Sequence, residues 1–161
     1  MSSVIWYETL ASTMTEASRL AAEGAESGTV VAARRQTAGQ GRQGREWLSD
    51  EDVGLYCTYI LRLNVLPADL PSITLALGLA VVEALSPLTG LSFDIRWPND
   101  VLCQGKKCCG ILARLEQGAV LAGIGINLNQ RSFPDGLRTP ATSLSIATGR
   151  SFDPEDRKSV V

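Results

Sequence analysis

The second half of the chain is a series of short apolar runs separated by tight turns, and this pattern constrains the fold more than any other feature. Turns at 104–107 and 116–118 separate runs that we interpret as strands. The runs cover 93–97, 101–103, 108–115 and 119–128. Such short connections join neighbouring antiparallel strands, because a parallel crossover needs about a dozen residues or more. The sequence therefore predicts an α+β fold, with helices packed on a mixed, largely antiparallel central sheet.

The first half of the chain alternates predicted strands with predicted helices. A strand at 4–7 precedes a helix from about 13 to 23, with Ser12 or Thr13 as its N-cap. Further strands are predicted at 29–33 and 55–63, and further helices at 72–85, where Pro87 and Gly90 would end the helix, and at 139–148. The 161 residues fit one domain over 1–150. We expect 151–161 to begin a truncated C-terminal extension, because Asp153-Pro154 is typical of a helix start.

The composition restricts the chemistry that the chain can perform. The sequence has no histidine, which excludes Ser–His and Cys–His nucleophiles and histidine-ligated metals. Acid–base work therefore falls to Lys, Arg, Asp, Glu or backbone amides. No CxxC pair is present, so no protein-held metal is expected. We expect buried, reduced thiols, typical of a cytoplasmic protein, at Cys57, Cys103, Cys108 and Cys109.

Charge and hydropathy restrict the partners. The net charge is −2, whereas nucleic-acid binding usually needs a basic face, so no DNA partner is expected. Glu8 and Ser12 interrupt the N-terminus, which therefore does not resemble a signal peptide. The longest apolar stretch, 73–85, contains Gly78 and Glu83 and is expected to be too short for a membrane span. We expect a cytoplasmic location and no membrane partner.

A polar loop between residues 36 and 52 is the first candidate site. Residues 39–47 read GQGRQGREW. This contains a GxGxxG pattern, but no apolar helix follows it, so a Rossmann dinucleotide site is not indicated. Glycines permit close backbone approach, and Arg42 and Arg45 are permanent cations suited to carboxylate or phosphate oxygens. We interpret the segment as an anion-binding loop, with a solvated surface loop as the alternative.

Three other segments place polar or glycine residues next to predicted strands. The turn at 97–100, WPND, presents Asn99 and Asp100, although such residues also form plain turns. Lys107 lies at the mouth of a strand and can present a cation to a cavity, or simply be solvated. Residues 123–129 read GIGINLN, and two glycines weaken a strand unless another group approaches closely.

Together and in this order, these segments resemble the catalytic domain of biotin–protein ligases. The matching residues are Ser12-Thr13, Gln36 with the 39–47 loop, WPND at 97–100, KCCGIL at 107–112 and GIGINLN at 123–129. The resemblance covers roughly residues 4 to 148. It implies the biotin–lipoate ligase catalytic fold, which is similar to that of class II aminoacyl-tRNA synthetases.

The resemblance implies a reaction in two steps. The biotin carboxylate attacks the α-phosphate of ATP, which gives biotinyl-5′-AMP and pyrophosphate. A carrier lysine then attacks the acyl carbon and expels AMP. Mg²⁺ would neutralise the triphosphate. The expected partner is the biotin carboxyl carrier domain of an acyl-CoA carboxylase. Ligases of this kind often pair through a sheet edge, so a homodimer is one expected assembly.

By the same resemblance, the site residues form three groups. The catalytic group would be Lys107, Arg42 and Asp100. Lys107 would contact the biotin carboxylate and the α-phosphate, and Asp100 would orient or deprotonate the acceptor amine. The biotin contacts would be Ser12, Thr13, Gln36, Gly39, Gln40, Arg42, Lys107, Gly110, Ile111 and Leu112. The adenylate contacts would be Arg42, Arg45, Trp47, Asn99, Lys107 and Asn127.

Three features depart from the family pattern. Gln40 stands where the family usually has arginine, so one anion contact is lost or supplied differently. Arg114 stands where a glutamate commonly follows the Gly-Ile-Leu segment, and Glu116 shares its strand face. The β-rich C-terminal domain and the N-terminal DNA-binding domain of some members are expected to be missing, so no repressor function is expected.

Two alternative functions stay open at this point. One is a lipoate or octanoate ligase or transferase of the same superfamily. The other is a non-catalytic remnant that binds biotin or an adenylate.

Overall fold

A computed structural model describes residues 3–155 as one seven-stranded sheet with helices on both faces. The strand order is β1-β2-β3-β7-β6-β5-β4. Only β1 and β2 run parallel, and every other neighbouring pair is antiparallel. The predicted mixed, largely antiparallel α+β architecture is confirmed. The strands are β1 Val4–Leu10, β2 Thr29–Gln36, β3 Gly54–Leu61, β4 Phe93–Arg96, β5 Asp100–Cys103, β6 Lys106–Glu116 and β7 Ala119–Asn127.

Two tight hairpins build the second half of the sheet, as the turn pattern predicted. Cys103 pairs with Lys106, and Glu116 pairs with Ala119, so each turn contains only two residues. The turn residues are Gln104-Gly105 and Gln117-Gly118, all with positive φ between 52° and 74°. This conformation matches the right-handed twist of the flanking strands. The predicted turns were each too long, because β6 extends to the hairpin at both of its ends.

The two faces of the sheet carry different helices. Helix α1, Thr13–Ala22, packs Met14 and Ala17 against Val31 and Ile60. The next side chain along β2, Val30, points to the opposite face, because side chains alternate along a strand. That face carries helix α2, Leu70–Thr89. Ser12 is the N-cap of α1, and its hydroxyl accepts a hydrogen bond from the Met14 amide at 3.2 Å.

Helix α2 is longer than the sequence predicted. Pro87 lies inside the helix, and Gly90, with φ of 73°, ends it by donating its amide to the Ser86 carbonyl at 2.9 Å. Proline is tolerated here because its missing amide affects only the last turn. Together with the preceding 3₁₀ turn, the helix spans Pro67–Thr89 and contains an 18-residue window with a mean hydropathy of 1.6, so it is long and apolar enough for a membrane span by length and composition alone. The expectation that no apolar segment reaches this length was therefore wrong.

The helix predicted at 139–148 forms only in its second half. Only α3, Leu144–Thr148, is helical, with Ser143 as its N-cap. Residues 140–142 instead bond to the backbone of Lys107, so a tertiary contact decides their conformation. The helix start predicted at Asp153-Pro154 is a turn as far as Glu155, and the remainder of that prediction lies outside the described residues.

The four cysteines lie in the interior, as expected for reduced thiols. Each is free, and the residue exposure of each is 4% or less. Burial raises the pKa of the Cys57 and Cys108 thiols to about 12. These thiols therefore pack as small apolar side chains and are not activated nucleophiles.

Candidate active site

A cavity of about 140 Å³ lies on the α1 face of the sheet. Its wall is formed by the N-terminus of α1, the 40–47 loop, and the central strands β3, β6 and β7. At the α1 end the lining is polar, and at the β6–β7 end it is built from glycine and apolar residues. We call this cavity the narrow slot. Its lining includes Ser12, Thr13, Met14, Gln36, Tyr56, Gly110, Leu112, Gly123 and Gly125.

The polar end of the narrow slot is a fixed hydrogen-bond network. Thr13 donates its backbone amide to the Gln36 Oε1 at 2.8 Å, and its hydroxyl lies 2.9 Å from the Thr58 hydroxyl. The Gln36 amide group then donates to the Ser49 hydroxyl at 2.8 Å. Because α1 begins here, its first amides and the Ser12 hydroxyl add further polar atoms. This end of the slot therefore presents both donors and acceptors in set positions.

Glycines form the floor beneath Trp47. A Cβ atom on Gly125 would lie 2.5 Å from the Trp47 ring, and one on Gly110 would lie 2.7 Å from it. No side chain larger than hydrogen fits at either position while the ring stays in place. The ring in turn stacks near Lys107, whose Nζ lies 5.3 Å from its centroid, within range of a cation–π contact. Gly110 and Gly125 thus seat the indole.

A second cleft of about 940 Å³ opens beside the narrow slot. We call it the wide cleft. It is bounded by the WPND turn and the segment 130–141, and five cations line it against three carboxylates. Seven residues line both cavities, so the two spaces meet there. They are Arg42, Arg45, Glu46, Trp47, Asn99, Asp100 and Lys107.

Lys107 and Asp100 form an ion pair at this junction. The Lys107 Nζ lies 2.7 Å from the Asp100 Oδ1, and Arg96 donates to the other oxygen, Oδ2, at 2.7 Å. The side chains of Lys107 and Asp100 are only 23% and 12% exposed. Two cations thus face the Asp100 carboxylate, which offsets the cost of burying its charge. The charges at the junction are thus held in place before any ligand arrives.

The backbone of Lys107 is held from the opposite side. Its amide donates to the Pro140 carbonyl at 2.8 Å, and its carbonyl accepts from the Thr142 amide at 2.9 Å. Asn127 donates its side-chain amide to the Thr142 carbonyl at 3.1 Å, which ties the same segment to β7. Sequence reasoning missed this support, because it assigned residues 140–142 to a helix.

The arginine-bearing loop is closed at its base and reaches the junction at its tip. Gln40 and Glu46 form an antiparallel bridge, and a 3₁₀ turn at Arg42–Gly44 lies between them. Arg42 donates to the Asn99 side chain at 3.4 Å. The loop therefore directs a cation toward the WPND turn, and it is not a free surface loop.

The structure brings the predicted residues together with few exceptions. All predicted biotin contacts line the narrow slot except Gly39, which lies behind it, where a Cβ would be 2.3 Å from the Trp47 carbonyl oxygen. All predicted adenylate contacts line the wide cleft, and Asn127 lines that cleft only. The sequence-based set lacked several lining residues. They include Met14, Tyr56, Arg96, Gly123, Gly125 and Gln130.

Some of these omissions had a signal in the sequence. Gly123 and Gly125 were costly in a strand, which indicated a close approach, and the structure shows Trp47 over Gly125. Arg96 precedes the WPND turn, so its proximity to Asp100 could have been anticipated from the hairpin. Met14 and Tyr56 carried no distinguishing signal, because apolar side chains in such positions usually serve only the core.

The arrangement suits two anionic groups that meet at a cationic junction. Among residues 3–155, no group of three or more Cys, Asp or Glu side chains could hold a metal ion. The positive charges are instead those of Lys107, Arg42 and Arg45, which suit carboxylate and phosphate oxygens. A slot with a polar end, a cleft of nucleotide size and cations between them fit acyl–phosphate chemistry.

Comparison with known proteins agrees with this geometry. The profile of the "Biotin/lipoate A/B protein ligase family" matches residues 6–130. The "Bifunctional ligase/repressor BirA" of Bacillus subtilis (strain 168) is 42% identical over 157 residues, which cover 93% of this chain and 48% of that protein. The "Biotin--[acetyl-CoA-carboxylase] ligase" of Mycobacterium tuberculosis is 39% identical over 133 residues, which cover 77% of this chain and 48% of the relative.

A solved structure extends the comparison to three dimensions. The biotin protein ligase from Aquifex aeolicus in complex with biotin and ATP superposes with a TM-score of 0.83 at 40% identity, over 96% of this chain and 64% of that one. The chain spans about half the length of the curated relatives it matches (48%). From the profile match and these relatives, the chain belongs to the biotin/lipoate A/B protein ligase family.

Proposed function

We propose that this chain performs the biotin–protein ligase reaction, which activates biotin with ATP and transfers it to a lysine of a biotin carboxyl carrier domain. The observation that carries the proposal is the junction of the two cavities at Lys107, Asp100 and Arg42. A carboxylate bound at the inner end of the narrow slot and an α-phosphate bound at the inner end of the wide cleft would meet at these charges. Relatives named as biotin ligases, and a homologous structure with biotin and ATP, support the same assignment.

In the first step, a carboxylate oxygen of biotin attacks the α-phosphorus of ATP. The bond from this phosphorus to the bridging β-phosphate oxygen breaks, and pyrophosphate leaves with that electron pair. Negative charge grows on the phosphoryl oxygens, and Lys107 and Arg42 lie where they can stabilise it. Since both cations are held before the reaction, by Asp100 and Asn99, little reorganisation is needed.

In the second step, the amine of the carrier lysine attacks the acyl carbon of the adenylate. The carbon–oxygen bond to the phosphate breaks, AMP leaves, and the nitrogen loses a proton. We propose that Asp100 orients the amine or accepts that proton. Asp100 is the buried carboxylate at the junction, and its ion pair with Lys107 places one of its oxygens beside the cation that would hold the adenylate.

Mg²⁺ fits this site as a counterion of the nucleotide and not as an ion in a protein cage. The described residues provide no three-ligand cluster, but the wide cleft contains Glu46, Asp50 and Asp100. One such carboxylate would hold the ion together with triphosphate oxygens and water, which are the ligands that Mg²⁺ prefers. The ion would neutralise the charge of the triphosphate, and the loop arginines would still position the triphosphate.

The polar end of the narrow slot favours biotin over lipoate. The ureido ring of biotin has both N–H donors and a carbonyl acceptor, and these match the Ser12, Thr13 and Gln36 atoms. The dithiolane ring of lipoate has neither, so it would leave the remaining donor and acceptor capacity of these atoms without a ligand partner. Such a mismatch typically costs about 10⁴-fold or more in discrimination. A lipoate or octanoate enzyme is therefore the weaker candidate.

The test is pyrophosphate release from ATP, with biotin or lipoate as the acid, followed by mass spectrometry of a recombinant carrier domain. We expect release with biotin only, and a mass increase of one biotinyl group on the carrier. Release with lipoate but not biotin would assign the alternative activity. Biotin binding without pyrophosphate release would identify a binding remnant and refute the ligase proposal.

We propose a cytoplasmic location without a DNA or membrane partner. Four reduced, buried cysteines and a net charge of −2 support it. Trp97 and Leu137, 69% and 42% exposed on the rim of the wide cleft, provide a surface on which the carrier domain could dock. If the chain forms a homodimer through a sheet edge, the free edges are β1 and β4, since β7 lies in the centre of the sheet.

A further inference from the structure

The two residues that depart from the family pattern are in direct contact. Arg114 donates its Nη1 to the Gln40 Oε1 at 2.8 Å, although 74 positions separate them in the sequence. The resemblance described above leads us to expect an arginine at position 40 and a glutamate at 114, whereas this chain has an amide at 40 and the cation at 114. The donor has thus moved from the loop to the strand.

Gln40 also connects the loop to helix α1. Its Nε2 donates to the Thr15 hydroxyl at 3.1 Å. On the strand, Arg114 lies 3.9 Å from Glu116, which accepts a hydrogen bond from Ser18 of α1 at 2.9 Å. The five side chains form a continuous polar bridge between α1, the loop and β6. We call this bridge the Gln40–Arg114 latch.

The strand end of the latch, Arg114, lies far from the reacting atoms, whereas Gln40 at the other end lines the narrow slot. Lys107 and Arg114 are seven residues apart on one continuous strand, which corresponds to roughly 23 Å between their Cα atoms. Arg114 is therefore out of reach of the cavity junction. What it holds is the base of the loop, where Gln40 pairs with Glu46. The loop between them carries Arg42 and Arg45, which line both cavities.

We propose that Arg114 is a positioning residue, which holds the anion-binding loop through Gln40 and so sets the placement of Arg42 and Arg45. The substitutions at 40 and 114 then compensate each other, because the contact between loop and strand is kept with its donor and acceptor exchanged. The consequence for biotin affinity depends on the proposed function, whereas the consequence for loop mobility does not.

Loop mobility is measured first, by trypsin cleavage after Arg42 and Arg45 without any ligand. Arg114→Ala and Gln40→Ala each break the contact, and we expect each to speed cleavage about three- to tenfold, as for a partly exposed charged hydrogen bond. The double variant should be cleaved no faster than either single variant. Arg19→Ala is the matched control, because it removes an arginine of similar exposure whose partners are Glu16 and Glu23.

Biotin kinetics test the link to the site. We expect Arg114→Ala to raise the KM for biotin about three- to tenfold and to leave kcat within about twofold, because no reacting atom is touched. Arg114→Lys should retain most of the affinity. The exchanged pair Gln40→Arg with Arg114→Glu should return the KM to within about threefold of the wild-type value, whereas Arg114→Glu alone should not.

Three results would overturn the proposal. They are unchanged cleavage of the loop in both single variants, additive effects in the double variant, and a loss confined to kcat. If the wild-type chain binds no biotin, the proposed function fails, but cleavage by trypsin still decides whether the latch holds the loop.

Discussion

Gly125 offers a direct test of the seat beneath Trp47. In Gly125→Ala, the new Cβ would lie 2.5 Å from Cε2 and Nε1 of the indole. Carbon atoms in contact are normally about 3.5 Å or more apart, so the ring must move by about 1 Å. The strand backbone accepts alanine, because Gly125 does not have a positive φ. The ring is only partly buried, so its displacement relieves most of the strain.

We expect the Gly125→Ala variant to fold and its catalytic rate to fall. Overpacking typically costs about 1–3 kcal/mol. We expect the free energy of unfolding to fall by an amount near the lower end of that range. A misplacement of about 1 Å at a reacting centre can cost about 10²-fold in rate. Because Trp47 lines both cavities and lies over Lys107, we expect biotin-dependent pyrophosphate release to fall about 30- to 100-fold.

The matched control is Gly78→Ala, in the middle of α2. There a Cβ would find its nearest neighbour, a side-chain atom of Ile95, at 3.6 Å, which is ordinary contact. Replacing glycine by alanine inside a helix should stabilise it by about 0.5–1 kcal/mol without changing activity. Activity of Gly125→Ala within threefold of the wild type, with an unchanged unfolding midpoint, would refute the idea that the glycine floor seats the indole.

Three further predictions follow from the charges and thiols. Lys107→Ala should lower biotinyl-adenylate formation about 10²- to 10³-fold in a pyrophosphate-exchange assay while the protein stays folded, because Arg96 still faces Asp100; near-normal exchange would reject its catalytic role. In native protein at pH 8, all four cysteines should react with a thiol reagent far more slowly than after unfolding in urea, because burial raises their pKa values; rapid labelling of any one would contradict this. The hydrogen bond from Arg19 lowers the pKa of Glu16 in the folded protein. The ionised Glu16 therefore stabilises the fold at pH values above its unfolded pKa of about 4.3. This stabilisation is lost as the pH falls through the lower pKa of the folded state. The urea midpoint of Glu16→Gln should therefore lie below that of the wild type at pH 6, and the difference should shrink below pH 4; a difference independent of pH would refute the ionic origin.

Local rules were sufficient for most of the sheet. The glycine-containing turns at 104–105 and 117–118 fix two hairpins by backbone conformation alone, so strand pairing in the second half was predictable. Residues 140–142 show where local rules fail. Their composition permits a helix, but the hydrogen bonds that they form belong to Lys107, and no local pattern reveals a partner 33 or more positions away.

In the candidate site, too, some features were predictable from local sequence and others depend on tertiary contacts. Sequence motifs predicted the residues that line the two cavities, because arginine, lysine, glycine and Asx residues have few other reasons for that order. What the motifs could not show is which of these residues touch one another. Gln40 and Arg114 each stood out as a departure from the family pattern, yet only the fold places them 2.8 Å apart.

The support of Lys107 by residues 140–142 also determines when the site can form during synthesis. The loop, the floor glycines and the lysine itself all lie in the first 125 residues, but two backbone hydrogen bonds that hold the lysine come from Pro140 and Thr142. A nascent chain can thus pair β6 with β7 before these two backbone hydrogen bonds to Lys107 have formed. The reactive junction is completed only when the segment after the sheet folds back across it.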